Sequence, residues 1–98
     1  MTQDIIINYL TEHKEQFKKD FSITKIGLFG SYARNEAKND SDIDILIELK
    51  KDLTDIYEKK SLLKEIIEKA FDKKVNIVRE KYLKSFLKDE ILREVKYV

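Results

Sequence analysis

The apolar residues of this chain repeat with two periodicities, one typical of helices and one typical of strands, and the two kinds of segment alternate along the sequence. Stretches in which apolar side chains return at every third or fourth position predict amphipathic helices over about residues 2–19, 52–70 and 80–95. Short apolar or alternating runs predict strands over residues 25–29, 42–49 and 73–78. Between the first two strands we expect a short helix over residues 31–36 and a polar loop over residues 37–41.

This order of elements predicts an α+β fold. We expect the three strands to form one small mixed sheet with the helices packed mainly on one of its faces. The last helix is expected to turn five apolar residues toward the core, namely Leu83, Phe86, Leu87, Ile91 and Val95. No repeat or linker divides the chain, so we expect a single domain over residues 1–98.

Composition narrows the classes of function. The 98 residues carry a net charge of +1, and charged residues make up 40% of the chain. Proteins that follow a nucleic-acid backbone are usually strongly basic, so this balance argues against direct nucleic-acid binding. The chain has no cysteine, which excludes a disulfide and a thiol nucleophile. Neither a membrane span nor a signal-peptide pattern is visible, so we expect a soluble cytoplasmic protein with no membrane partner.

The residues best suited to chemistry lie where the first two strands meet. Gly30–Ser31 ends the first strand, and after ten intervening residues Asp42 and Asp44 enter the second. Side chains two positions apart on a strand share a face, so the two Cα atoms are expected about 6–7 Å apart. Oxygen ligands of this kind suit Mg²⁺, or Mn²⁺ in its place, bound together with the phosphates of a nucleotide. The spacing therefore predicts a metal site on Asp42 and Asp44.

The second half of the predicted site is an anion-binding turn. Gly30 allows backbone N–H groups to approach a phosphate closely, and Ser31 is expected to begin the short helix whose positive end faces that phosphate. Arg34 lies one turn later. It either holds a phosphate or forms a surface ion pair with Glu36 or Asp40.

Two other sets of charges are expected to lie outside the site. Glu48 shares the face of the aspartates, but it lies about 13 Å along the strand from Asp44, and we expect a solvated edge charge. The charges of the middle helix, Lys60 and Lys64 among them, are expected to form a solvated face that needs no ligand.

Gly30, Ser31, Asp42 and Asp44 match, at this spacing, the signature of the DNA-polymerase-β-like nucleotidyltransferase superfamily. The short chain, its segment GSYARNEA and its ending ILREVKYV resemble the minimal nucleotidyltransferases, above all the MntA-type antitoxins that are paired with a HEPN-domain ribonuclease toxin. The resemblance implies a polymerase-β palm-like fold and metal-dependent transfer of AMP from ATP to a tyrosine hydroxyl of the toxin. Asp42 and Asp44 would then be catalytic and metal-binding, while Gly30, Ser31 and Arg34 would bind the nucleotide.

One position departs from the pattern of the superfamily. Its third strand usually supplies a third carboxylate, which completes a second metal site and helps to deprotonate the attacking hydroxyl. This chain has Asn76 there, in the run Val75–Val78. An amide oxygen can bind a metal but cannot take a proton, and a positioned base contributes about 10²–10⁴-fold to a rate.

Asn76, which we keep among the catalytic positions, therefore leaves two hypotheses open. In the first, the protein is an adenylyltransferase that modifies its toxin. In the second, it is a catalytically weakened antitoxin that binds nucleotide and neutralises its toxin by forming a complex. Nucleotide addition to RNA is a weaker third hypothesis, because the chain shows neither an acceptor-binding domain nor a basic stripe.

Overall fold

The computed structural model describes residues 1–98 and contains three α-helices and four strands. The helices are α1 (Gln3–Phe21), α2 (Ile56–Phe71) and α3 (Ser85–Glu94), and a 3₁₀ turn (Glu80–Tyr82) precedes α3. The strands are β1 (Ile23–Phe29), β2 (Ile43–Leu49), β3 (Val75–Arg79) and β4 (Lys96–Tyr97). They form one sheet in the order β3-β2-β1-β4, in which β2 and β3 are parallel and the other neighbours antiparallel. The predicted α+β class and mixed sheet are confirmed.

The core lies between one face of the sheet and the helices α1 and α2. Alternate residues of β2 point to this face, and Ile43, Ile45 and Ile47 are almost completely buried there. They share one apolar cluster with the buried residues of the two helices, which are Ile6, Leu10, Phe17, Phe21, Leu63 and Ile67. Burial of this apolar surface is the main stabilising term. It fixes β2, the strand that carries the aspartates.

The sheet has a fourth strand, whereas the sequence predicted three. In β4, Lys96 and Tyr97 pair with Leu28 and Gly27 of β1. Gly27 permits this close approach, because a Cβ there would lie only 2.9 Å from the Lys96 carbonyl oxygen and from a methyl group of Val95. Two residues are too few to show the alternation of apolar and polar positions that is typical of a strand, so the sequence pattern could not predict β4.

The predicted inward face of the last helix is wrong. The expected helix over residues 80–95 is divided into a 3₁₀ turn and α3, and neither contains a buried residue. Phe86 is 74% exposed and Leu87 is 40% exposed. An apolar stripe predicts that a helix is amphipathic but does not say what covers it, and here α1 and α2 already cover the core face of the sheet. None of the helices is long and apolar enough to cross a membrane.

The short helix expected after β1 is a single turn. Residues 31–35 form this turn, in which the N–H of Arg34 donates to the carbonyl of Gly30 at 3.1 Å and the N–H of Glu36 donates to that of Ser31 at 2.9 Å. A helix needs several consecutive bonds of this kind before it is stable or develops a sizeable dipole. Ser31 therefore begins a turn and not a helix.

Candidate active site

The register of the sheet brings the predicted catalytic residues to one end of its central strands. Asp44 pairs with Phe29, the last residue of β1, and with Asn76 in β3. Gly30 directly follows Phe29, and Asp42 directly precedes β2. Residues that are far apart in sequence thus meet at one place because antiparallel β1 ends where parallel β2 and β3 begin.

Asn76 lies between the two carboxylates. Its Nδ2 donates to Oδ2 of Asp42 at 3.3 Å and to Oδ1 of Asp44 at 3.0 Å. Burial raises the pKa of Asp44 above its ordinary value, the hydrogen bond from Asn76 opposes this increase, and the charge of Asp42 adds to it. The amide therefore satisfies two carboxylates that would otherwise repel each other.

The oxygen atoms at this end of the sheet suit a small divalent cation that also binds substrate. The protein has no cluster of three or more His, Cys, Asp or Glu side chains that could hold a metal ion alone. Mg²⁺ commonly takes only one or two carboxylates from the protein and completes its shell with phosphates and water. Asp42 and Asp44 match that contribution, and a rotated Asn76 amide would add a carbonyl oxygen beside them.

Gly30 is required at its position by both conformation and space. Its φ is +77°, in the left-handed region that L residues with a side chain avoid. A Cβ at Gly30 would also collide with Oδ2 of Asp44. The following turn is held from outside by Gln3 of α1, whose Nε2 donates to the carbonyls of Tyr32 and Ala33 at 3.1 and 2.8 Å. The backbone beside Asp44 is thus closely fixed.

Arg34 takes part in the ion pairs at this turn. Its Nη1 lies 2.8 Å from Oε2 of Glu94, and its Nε lies 3.3 Å from Oε1 of Glu36. The predicted pair with Glu36 is therefore present, whereas Asp40 forms no ion pair with Arg34. The side chain of Arg34 remains 45% exposed, so it is accessible to a ligand.

Glu94 was not predicted as part of the site. Besides its contact with Arg34, its Oε1 accepts a hydrogen bond from the N–H of Gly30 at 3.4 Å. The contact spans about sixty positions of the chain and depends on β4, which ties the end of α3 to β1. Because β4 shows no periodicity in the sequence, no local pattern could have identified Glu94 as a residue of the site.

A cavity of about 680 Å³ lies beside Asp44, lined by residues of β3 and α2 and by Phe29 of β1. Asn76 and Asp44 line one part of it, and Tyr57, Lys60, Ser61 and Lys64 of α2 line another. The charges of α2 were expected to form a face that needs no ligand. Lys60 and Lys64 line the same cavity as Asp44, in a space large enough for a side chain or part of a nucleotide.

The prediction that Glu48 is a solvated edge charge is wrong. Its Oε1 lies 2.6 Å from Nη2 and 3.0 Å from Nε of Arg79, which is 6% exposed. Its Oε2 accepts from the N–H of Lys81 at 3.0 Å. Burial acts to raise the pKa of Glu48, but the hydrogen bonds from Arg79, Leu49 and Lys81 outweigh burial and lower it. Glu48 therefore ties β2 to β3 beyond the site.

Comparison with known proteins accords with this geometry. The model of the nucleotidyltransferase domain matches residues 10–98. The protein adenylyltransferase MntA of Thermococcus cleftensis is 41% identical over 103 aligned positions, which cover 100% of this chain and 97% of the relative. Among solved structures, a protein described as a minimal nucleotidyltransferase superposes with a TM-score of 0.79 at 28% identity, over 98% of this chain and 95% of its own. A chain of a toxin–antitoxin complex with AMP-PNP shares the fold, with a TM-score of 0.68 at 24% identity over 88% of this chain and 69% of its own. The chain therefore belongs to the nucleotidyltransferase family of enzymes.

Proposed function

We propose that this protein is a metal-dependent adenylyltransferase that transfers AMP from ATP to a tyrosine hydroxyl of a partner HEPN ribonuclease toxin in the cytoplasm. One observation carries the proposal, namely that a carboxylate pair and an anion-binding turn meet at one end of the sheet. The similarity to a relative named protein adenylyltransferase supports a protein acceptor. The fold shared with a chain of a toxin–antitoxin complex accords with a toxin as that acceptor.

The two halves of the site would divide the work of binding. The N–H of Gly30 and the guanidinium of Arg34 would hold phosphate oxygens, since both are donors suited to anions. Ser31 follows Gly30 and is partly buried, and its hydroxyl is the third donor that we assign to the nucleotide. Asp42 and Asp44 would hold Mg²⁺, which neutralises the charge of the phosphates. Asn76 keeps the two carboxylates in place through its Nδ2, and after rotation of the amide it would offer its oxygen to the metal instead.

The reaction itself needs positioning more than covalent chemistry. The tyrosine oxygen forms a bond to the α-phosphorus of ATP, the bond between that phosphorus and the bridging oxygen breaks, and pyrophosphate leaves. The hydroxyl proton passes to solvent, because Asn76 has no basic group that could take it. The missing base predicts a slow enzyme, and a slow enzyme is sufficient where one modification silences one toxin molecule.

The acceptor would approach from the side opposite to the phosphates. Gly30 and Arg34 lie beside Asp44 just after β1, whereas the 680 Å³ cavity is lined mainly by residues of β3 and α2, with Phe29 as its one residue from β1. An in-line transfer requires the attacking and leaving oxygens on opposite sides of the α-phosphorus. We therefore assign the tyrosine to this cavity, whose lining includes Ser61 of α2.

Asn76 also favours a second candidate function. If the lost base is decisive, the same site would bind nucleotide without transferring it, and the protein would neutralise its toxin by forming a complex. Both candidates use the same nucleotide-binding residues, so nucleotide binding alone does not separate them.

Intact-mass spectrometry of the toxin separates the two functions. A HEPN-domain toxin is incubated with ATP and Mg²⁺ and with the wild-type protein, Asn76→Asp, or Asp42→Asn combined with Asp44→Asn. We expect the toxin to gain whole AMP units with the wild type, to gain them faster with Asn76→Asp, and to gain none with the double variant. Modification by Asn76→Asp alone would support the binding antitoxin. Undiminished modification by the double variant would contradict the assigned site.

A further inference from the structure

Glu94 occupies the groups to which the proposed function assigns a phosphate. Its Oε2 accepts from Nη1 of Arg34 at 2.8 Å, and its Oε1 accepts from the N–H of Gly30 at 3.4 Å. A carboxylate and a phosphate present the same kind of acceptor to a guanidinium and to a backbone N–H. Glu94 thus fills the anion-binding turn from within the chain.

The charges around Glu94 oppose its position. The side chain of Glu94 is only 15% exposed. Its charge adds to burial and to the charge of Asp42 in raising the pKa of Asp44. Asp42, Asp44 and Glu94 therefore place three like charges within interaction range, with Arg34 as the cation that holds Glu94 among them. An anion that arrives with its own cation would relieve this repulsion when it replaces Glu94.

The helix that carries Glu94 is weakly attached to the rest of the protein. α3 contains no buried residue, and β4, which follows it, is only two residues long. Elements with few buried apolar contacts open at a low free-energy cost. The end of α3 can therefore move enough to withdraw one carboxylate while the core between α1, α2 and the sheet remains packed.

We propose that Glu94 is a positioning residue that competes with the nucleotide. In the free protein it holds Arg34 and the N–H of Gly30, and a phosphate of the metal-bound nucleotide displaces it. This inference rests on the proposed function, which assigns both groups to the nucleotide. Before the nucleotide binds, Glu94 keeps the guanidinium of Arg34 oriented. Because Glu94 must be displaced, an anion that brings no cation is expected to bind weakly.

The test is the affinity for the Mg²⁺ complex of α,β-methylene-ATP, measured by isothermal titration calorimetry. The carbon bridge of this analogue prevents transfer, so only binding is measured. Glu94→Gln keeps the size of the side chain and removes the competing charge, and we expect its Kd to be about tenfold lower than that of the wild type. The matched control is Glu90→Gln, which removes an exposed charge one turn earlier on α3, and its Kd is expected within about twofold of the wild type.

Three results would overturn the proposal. The first is a Kd for Glu94→Gln that equals or exceeds that of the wild type. The absence of measurable binding of the analogue to either protein counts as the same result. The second is an equal decrease in Kd for Glu90→Gln, which would show a general effect of charge. The third is loss of Mg²⁺ binding by Glu94→Gln, which would make Glu94 a metal ligand.

A thermal measurement supplies a second readout. Without nucleotide, Glu94→Gln is expected to unfold at a lower temperature than the wild type, because the bond to Arg34 is weakened. With saturating analogue the difference is expected to disappear, since Glu94 is displaced in both proteins; a difference that persists would overturn the proposal. If Glu94→Gln does not fold, Glu94→Asp shortens the reach of the carboxylate and is expected to lower the Kd by a smaller factor.

Failure of this inference differs from failure of the proposed function. If the wild type transfers no AMP while Glu94→Gln still binds the analogue more tightly, the transfer reaction is contradicted and the role of Glu94 stands. If the wild type transfers AMP while the Kd of Glu94→Gln equals that of the wild type, the role of Glu94 is contradicted and the transfer reaction stands.

Discussion

Gly30→Ala tests the link between the turn and the carboxylates. A side chain at φ +77° costs about 1 kcal/mol relative to glycine. The new Cβ would also push Asp44 away from Asn76, and the loss of a hydrogen bond to a charged group costs about 1.5–3 kcal/mol. We therefore expect the free energy of unfolding to fall by about 3 kcal/mol, which leaves a domain of ordinary stability folded. A displaced Asp44 is expected to slow AMP transfer about 10²-fold.

Asn35→Ala is the matched control, because Asn35 lies in the same turn with φ +59° and is exposed. It carries a backbone cost of about 1 kcal/mol or less without a collision at Asp44. Urea denaturation gives the free energies, and mass spectrometry of the modified toxin gives the rates. Equal losses of stability in the two variants, or a wild-type rate in Gly30→Ala, would refute the reasoning.

Three further substitutions test other parts of the account. Ser61→Trp fills the cavity lined by α2, so it is expected to abolish modification of the toxin while the Kd for α,β-methylene-ATP stays unchanged. The control is Glu58→Trp, on the same helix outside the cavity, which should change neither quantity. A higher Kd in Ser61→Trp would contradict the assignment and place the nucleotide in the cavity. Asp44→Asn is expected to be more stable than the wild type at pH 7 in thermal unfolding, because the folded protein raises the pKa of Asp44 and holds its charge at a cost. That difference should disappear as the pH falls through the raised pKa, and a less stable variant at pH 7 would contradict it. Glu48 has a lowered pKa in the folded protein, so its contribution to stability is present above the ordinary value for glutamate and is lost as the pH falls through the lowered value. Urea denaturation should therefore show a smaller loss of stability on acidification for Glu48→Gln than for the wild type, and equal losses would contradict this.

The positions of Gly30, Asp42 and Asp44 could be predicted because Asp44 lies on β2 and the other two directly adjoin β1 and β2, whose apolar residues have a clear periodicity. The period of two places both aspartates on one side of β2, and the buried isoleucines fix the other side. Asn76 could be placed for the same reason, since β3 follows α2 after a short connection. The role of its amide as a donor to both carboxylates depends on the register between β2 and β3, which only the structure gives.

The partners of charged residues could not be predicted where they lie far apart in the sequence. Glu48 looked like an edge charge because its partner, Arg79, lies on another strand and becomes its neighbour through parallel pairing. Glu94 reaches Arg34 only because β4 returns to β1. A sequence shows which residues carry charge, but a contact between distant residues depends on pairing that local patterns do not encode.

The central claim is that this protein silences its toxin by transferring AMP, and the ribonuclease activity of the toxin tests it most directly. The HEPN-domain toxin is incubated with the protein and Mg²⁺, with either ATP or α,β-methylene-ATP, and its RNA cleavage is then measured after the two proteins are separated. We expect cleavage to be lost after incubation with ATP and to be retained after incubation with the analogue, because only ATP allows a covalent product. Full cleavage after separation in both cases would contradict the claim and show that the protein acts only while it is bound.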